Sequence, residues 1–145
     1  MAERRRTALI SAWNKENLDD LAKGLSGMGW KIFASGGTAE HIRKSGIEVV
    51  PTEEITGISS LLGGRVKTLH PELHAAILAG GEDRTARIRE GKTVFDLVAV
   101  DFYPFEKAEG AEADSPELVK FIDIGGPAMA RGAAKNWKHV ISAVG

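Results

Sequence analysis

The stretch WKIFASGGTAEHIRKSGIEVV, Trp30 to Val50, decides the fold. WKIFA is a short apolar run that reads as a buried strand. SGGT, Ser35 to Thr38, turns the chain. AEHIRKSG carries a short helix that Gly46 ends, and IEVV is a further strand stopped by Pro51. Strand, turn, helix and strand in that order require a parallel sheet, with the helix crossing one face.

The pattern repeats on both sides. TALISAW, from Thr7, is an earlier strand. Asn14 is placed as the N-cap of the next helix. There Leu18, Leu21, Ala22, Leu25 and Met28 fall on one face, and Gly27 and Gly29 end it. Residues 52–71 form the longest irregular region, a place where ordered loops often carry function. ELHAAILA and DRTARIRE read as helices and DLVAVDF as a strand. SPELVKFI is a helix with Ser115 as cap and Pro116 in its first turn. GGPAMARGAAKN is another helix, and HVISAVG a last strand. The alternation predicts one α/β domain over residues 1–145, with a parallel sheet covered by helices on both faces. Right-handed crossovers gather SAWNK, ASGGT, DFYPF and IDIGGP at the carboxyl ends of the strands, where such sheets bind ligands.

Composition narrows the function. A formal net charge of -1 gives no global case for nucleic acid or a membrane surface. With 0 cysteines, a disulfide framework and a thiolate metal site are excluded. MAERRRTALISAW has a basic start before an apolar run, but the run is short and lacks a cleavage pattern. No stretch is apolar enough to span a bilayer. The expectation is a cytoplasmic domain.

Chemistry concentrates in a few places. Ser35, Gly36, Gly37 and Thr38 lie between a strand and a helix, where free N–H groups and the helix dipole favour an anion. A tight turn with a Thr cap is the plainer alternative. Gly125, Gly126 and Pro127 open a second helix in the same style. GGRVKTLHPELH, Gly63 to His74, brings Arg65, Lys67, Thr68, His70 and His74 together. Lys15, Arg65, Lys67 and Lys135 are candidate cations. Asp123 and Lys135 bracket the GGPAMARGAA helix. Tyr103, the single tyrosine, is either an aromatic core position or a hydroxyl aimed at a ligand. His70 and His74 have i, i+4 spacing, but Pro71 intervenes and no third ligand stands nearby. A helix cap or core role suits them better than a metal.

FASGGTAEHIRKSGIEV, GGRVKTLHPELHAAIL, FYPF and IDIGGPAMARGAAKN occur in the order found in a known family. The chain resembles the IMP cyclohydrolase domain family, whose fold is a three-layer α/β/α methylglyoxal-synthase-like domain. The resemblance implies closure of 5-formamidoimidazole-4-carboxamide ribotide to IMP with loss of water, with no cofactor and no metal. It implies that Ser35, Gly36, Gly37 and Thr38 bind the 5'-phosphate together with Ser11, Asn14 and Lys15. Arg65, Val66, Lys67 and Thr68 would line the base, and Gly125 and Gly126 would let the backbone approach it. Lys67 and Tyr103 would polarise the formyl oxygen, and Asp123 and Lys135 would form a proton-transfer pair.

Two stretches depart from the family pattern. The first loop reads Ser11-Ala12-Trp13-Asn14-Lys15 where the family usually has Ser-Val-Ser-Asp-Lys. Asp101, counted here with the substrate-binding residues, stands where the family usually has Asn. The family domain usually continues past HVISAVG into a transformylase domain. The expectation is therefore a compact stand-alone enzyme or a fragment, open to a homodimer and to a separate transformylase partner. The rival readings are methylglyoxal synthase and a non-catalytic nucleotide-sensing domain of the same fold. The sensor has no need of Lys67, Tyr103, Asp123 and Lys135 together.

Overall fold

The computed structural model describes residues 3–145. Five strands alternate with seven helices: β1 (Thr7–Ser11), α1 (Leu18–Gly27), β2 (Lys31–Ala34), α2 (Gly36–Lys44), β3 (Val50–Pro51), α3 (Glu53–Thr56), α4 (Pro71–Leu78), α5 (Gly81–Arg89), β4 (Leu97–Val100), α6 (Pro116–Lys120), α7 (Gly125–Lys135) and β5 (Ile141–Val144). Two 3-10 turns, Leu62–Gly64 and Phe105–Ala108, lie in the long loops. The sheet order is β3-β2-β1-β4-β5, and every pair is parallel.

Period-2 alternation along the strands builds three layers. Ala8, Ile10, Ile32 and Ala34 face α1 and α2, meeting Leu18, Ala22, Leu25 and Ile42. Leu9, Phe33, Val98 and Val100 face the other way, against Leu73 and Ile77 of α4 and Met129 and Ala133 of α7. Phe33 and Phe95 meet edge to face, with ring centroids 5.5 Å apart. The chain runs outward from β1 to β2 and β3, then returns to place β4 on the other side of β1. The carboxyl ends of β1 and β4 thus flank the switch point where open α/β sheets take ligands.

Several local expectations shift. Asn14 does not cap α1. Asn17 does, in a left-handed conformation and without a side-chain bond, while Asn14 Oδ1 accepts from Glu16 N. Leu21 and Met28 are exposed. The glycines of SGGT already belong to the first turn of α2, with Ser35 as N-cap. IEVV supplies only the start of β3, which begins at Val50. Residues 52–71 contain α3 and a 3-10 turn. The last strand is an exposed edge, paired with β4 alone. His70 caps α4, its Nδ1 accepting from Glu72 N at 3.2 Å, and Ser115 caps α6 through Leu118 N. Among the described residues, no helix is long and apolar enough to cross a membrane.

The amino end of the sheet is closed by charge. Asp96, just before β4, accepts from Thr7 N at 2.8 Å and from Arg84 at 2.6 Å, and pairs with Arg4. Burial alone would raise its carboxyl, but hydrogen bonds from Arg4 and Thr7 and the two guanidinium charges hold it below the ordinary range. Arg5 donates to the carbonyls of Gly29 and Trp30, and Arg6 lies over the Trp30 ring. The basic start of the chain thus seals this end.

Candidate functional site

The carboxyl end of the sheet opens into a cavity of about 710 Å³. It is bounded by the start of α2, the loop after β1, the loop after β4, the 63–69 loop and the start of α7.

One end is built for an anion. Gly36 opens α2 at a φ of +50°, and a Cβ there would lie 3.2 Å from Lys67 Nζ. Glycine therefore lets the ammonium rest against the helix start, where the dipole already favours negative charge. Ser35 and Thr38 are buried at this end. Lys15 stands beside it, with Nζ donating to the carbonyls of Ala12 and Trp13. Burial pushes the Lys15 ammonium down, nearby Asp101 opposes this and Lys67 adds to it. Among the described residues, neither Lys15 nor Lys67 is in an ion pair.

The other end carries the titratable groups Tyr103 and Asp123. Asp123 Oδ1 accepts from Gly126 N at 2.9 Å, and Oδ2 accepts from Tyr103 N at 3.3 Å. One carboxylate thus ties the start of α7 to the loop after β4. A Cβ at Gly126 would lie 2.6 Å from that carboxylate, and one at Gly125 would collide with the Thr68 hydroxyl. Both glycines are required by this close approach. Burial raises the Tyr103 phenol, and Asp123 adds to it, so the hydroxyl keeps its proton at neutral pH. The 63–69 loop joins the two ends. The Leu61–Val66 bridge pins it, and Arg65 Nε donates to Leu62 O at 2.9 Å.

Ser11, Lys15, Ser35, Gly37, Thr38, Arg65, Lys67, Thr68, Asp101, Tyr103, Asp123, Gly125 and Gly126 line this one cavity. Asn14, Gly36, Val66 and Lys135 do not. Asn14 N is spent on Asp101, and Val66 pairs its backbone with Leu61. Lys135 ends α7, an unbroken helix of 11 residues. At 1.5 Å per residue its two ends are about 15 Å apart. The bend that would return Lys135 to Asp123 is absent, and within one chain the pair does not form. Thr38 also departs from the expected role of a free phosphate donor. Its hydroxyl bonds both Ala12 N and Ala12 O at 3.1 Å, fixing the first loop.

Sequence reasoning missed an apolar wall of Leu69, Val119, Ile122 and Ile124, with Lys120 beside it. SPELVKFIDI carries no chemical motif. The one clue in the sequence is that Ile122 and Ile124 flank the candidate Asp123, and the structure leaves both exposed. His74 lies near the Thr68 backbone, and burial pushes its imidazole down. Among the described residues, no three His, Asp or Glu gather as a metal site.

A parallel α/β/α sandwich with a glycine-opened helix start and a cavity lined by lysines and carboxylates at its switch point has the architecture in which open α/β sheets take ligands. The MGS-like domain model matches residues 17–128, and the chain belongs to that family. It is 45% identical to the bifunctional purine biosynthesis protein PurH of Natranaerobius thermophilus over 133 residues, which is 91% of this chain and 26% of that protein. It is 43% identical to the PurH protein of Aquifex aeolicus over 137 residues, covering 92% of this chain and 27% of that one. The chain thus spans about a quarter of the length of these relatives. A crystal structure of ForH superposes with a TM-score of 0.81 at 36% identity, covering 97% of this chain and 72% of that one.

Proposed function

We propose that the chain is an IMP cyclohydrolase that closes 5-formamidoimidazole-4-carboxamide ribotide to IMP and water. The observation that carries this reading is that the anion-binding start of α2 and the Lys67–Tyr103–Asp123 group share one cavity. The similarity to PurH proteins along most of the chain supports it.

The reacting groups already sit on one imidazole ring, so holding the right rotamer supplies much of the rate. The phosphate at α2 and the base against the adjoining Thr68 and Gly125 fix that rotamer. The carboxamide nitrogen attacks the formyl carbon and a C–N bond forms. Asp123, held by Gly126 N and Tyr103 N, takes the proton from that nitrogen. Lys67 and the protonated Tyr103 stabilise the oxyanion and protonate it. The C–O bond then breaks. Water leaves with the formyl oxygen, one proton from the carboxamide nitrogen and one from the formamide nitrogen. These residues need no metal or cofactor for any step. Lys135 has no step in this scheme, because α7 holds it at the far end. The formamido substrate is the product of a formyl-transfer step.

The test is to supply the formamido ribotide and follow the ultraviolet change on purine formation. Turnover with accumulation of IMP supports the reading. Tight IMP binding without turnover would replace it with a nucleotide sensor.

A further inference from the structure

Two of the positions that depart from the family pattern, Trp13 and Asp101, are 88 residues apart in sequence and hydrogen-bonded in the structure. Asp101 directly follows β4, and its N–H continues the ladder by donating to Ser11 O at 3.1 Å. Its two carboxylate oxygens accept separately, Oδ1 from Trp13 N and Oδ2 from Asn14 N at 2.9 Å. Successive backbone N–H groups make a small anion-binding concavity, and here a side chain of the same protein fills it. A carboxylate offers two acceptors, whereas an amide would turn its NH2 toward one of the N–H groups. Lys15 holds the carbonyls of Ala12 and Trp13 on the opposite side of the loop. The indole is fixed as well. Lys107, from the turn after β4, sits 4.6 Å from the ring centroid. Trp13 lines the cavity and is 41% exposed. Its neighbour Ala12 is bonded both ways to Thr38 in the first turn of α2, which puts the Trp13 backbone beside the anion end.

We propose that Trp13 is a preset wall against the ribose-phosphate end of the bound nucleotide, locked on its backbone by Asp101 and on its ring by Lys107. Asp101 is accordingly a positioning residue and does not itself bind substrate. The ligand's identity rests on the function proposed above. A rigid aromatic wall spares the ligand the ordering cost of a mobile loop. Removing the lock therefore weakens binding through Trp13 and not independently of it.

The test is a double-mutant cycle with IMP as the probe. Trp13→Ser raises the IMP Kd by about tenfold, and Trp13→Phe, which keeps a flat ring, by no more than about threefold. Asp101→Asn also removes a negative charge near Lys15, which favours a phosphate. That effect is the same in both backgrounds and cancels in the cycle. The remaining coupling between Asp101→Asn and Trp13→Ser is about fivefold or more, because the lock has nothing to hold once the indole is gone. In steady state, Asp101→Asn moves KM more than kcat. Coupling below about twofold overturns the proposal, as does a loss that is equal in both backgrounds. The lock is also read without a ligand. In a Trp137→Phe background, where Trp30 is buried, Asp101→Asn and Lys107→Gln raise acrylamide quenching of Trp13 emission. Unchanged quenching contradicts the lock. A parent that fails to bind IMP overturns the wall together with the proposed function, while the quenching result still decides the lock.

Discussion

The two ends of one parallel sheet treat charge in opposite ways. At the amino end, Asp96 gathers Arg4, Arg84 and the Thr7 N–H, and Arg5 and Arg6 spend themselves on Gly29, Trp30 and its ring. At the carboxyl end, Lys15 and Lys67 face a cavity, and the carboxylates nearby, Asp101 and Asp123, hold backbone N–H groups. Clustered cations that no ion pair neutralises repel one another and destabilise a fold. Such an arrangement is understandable where a ligand supplies the missing negative charge. One end is built for stability and the other for binding.

The comparison can be broken most sharply at Asp123. Asp123→Asn keeps an Oδ1 acceptor for Gly126 N, gives up only the long, exposed 3.3 Å bond from Tyr103 N, and removes the base. The expected outcome is a fall in kcat of about 10²–10⁴-fold, with thermal stability close to the parent's, read by purine formation and by melting. At the other end the signs reverse. Asp96→Ala strands two guanidinium groups, and unfolding in denaturant should show a loss of about 3 kcal/mol, while IMP affinity stays within about twofold. A smaller effect follows from pH. The folded Asp96 carboxyl is depressed, so its contribution is complete above the ordinary carboxyl range and is lost as pH falls through its lower folded value. Stability should drop below about pH 4, and Asp96→Asn should flatten that drop in a series of melts. Smallest of all, Lys135→Met should leave kcat within about threefold and stability within about 1 kcal/mol, as for a lysine at a helix end. A hundredfold loss of kcat there would contradict a site completed within one chain.

Much of this was legible in the sequence, for identifiable reasons. The αβ alternation was readable because β1, β2 and β4 are largely buried and glycines mark the end of α1, the start of α7 and both ends of α2. The positions of Ser35 to Thr38, Arg65 to Thr68 and Gly125–Gly126 followed from glycines that only a turn or a close approach explains. Side-chain partners were not legible. Thr38 reads as a phosphate donor until its hydroxyl is found on Ala12. Asp101 reads as a substrate acceptor until both oxygens are found on the Trp13–Asn14 backbone. Lys135 reads as a partner for Asp123 only while the helix between them is free to bend. The apolar wall at Val119, Ile122 and Ile124 had no periodicity to reveal it, because those residues pack against the cavity and not against the core. The Thr38 and Asp101 misses depend on contacts between elements distant in sequence, which local pattern does not encode, and the Lys135 miss on the unbroken length of α7.

The contrast between the two ends is tested most directly by titrating the unmodified protein with IMP and with inosine under the same conditions, by calorimetry. The two ligands share base and ribose and differ in the phosphate. Two or more charge-assisted hydrogen bonds at the start of α2 and at the nearby lysines predict that IMP binds at least about 100-fold tighter, with the advantage shrinking as salt is added. Equal affinity for the two, or binding of neither, would contradict an anion-seeking carboxyl end and leave Lys15 and Lys67 without the partner that accounts for them.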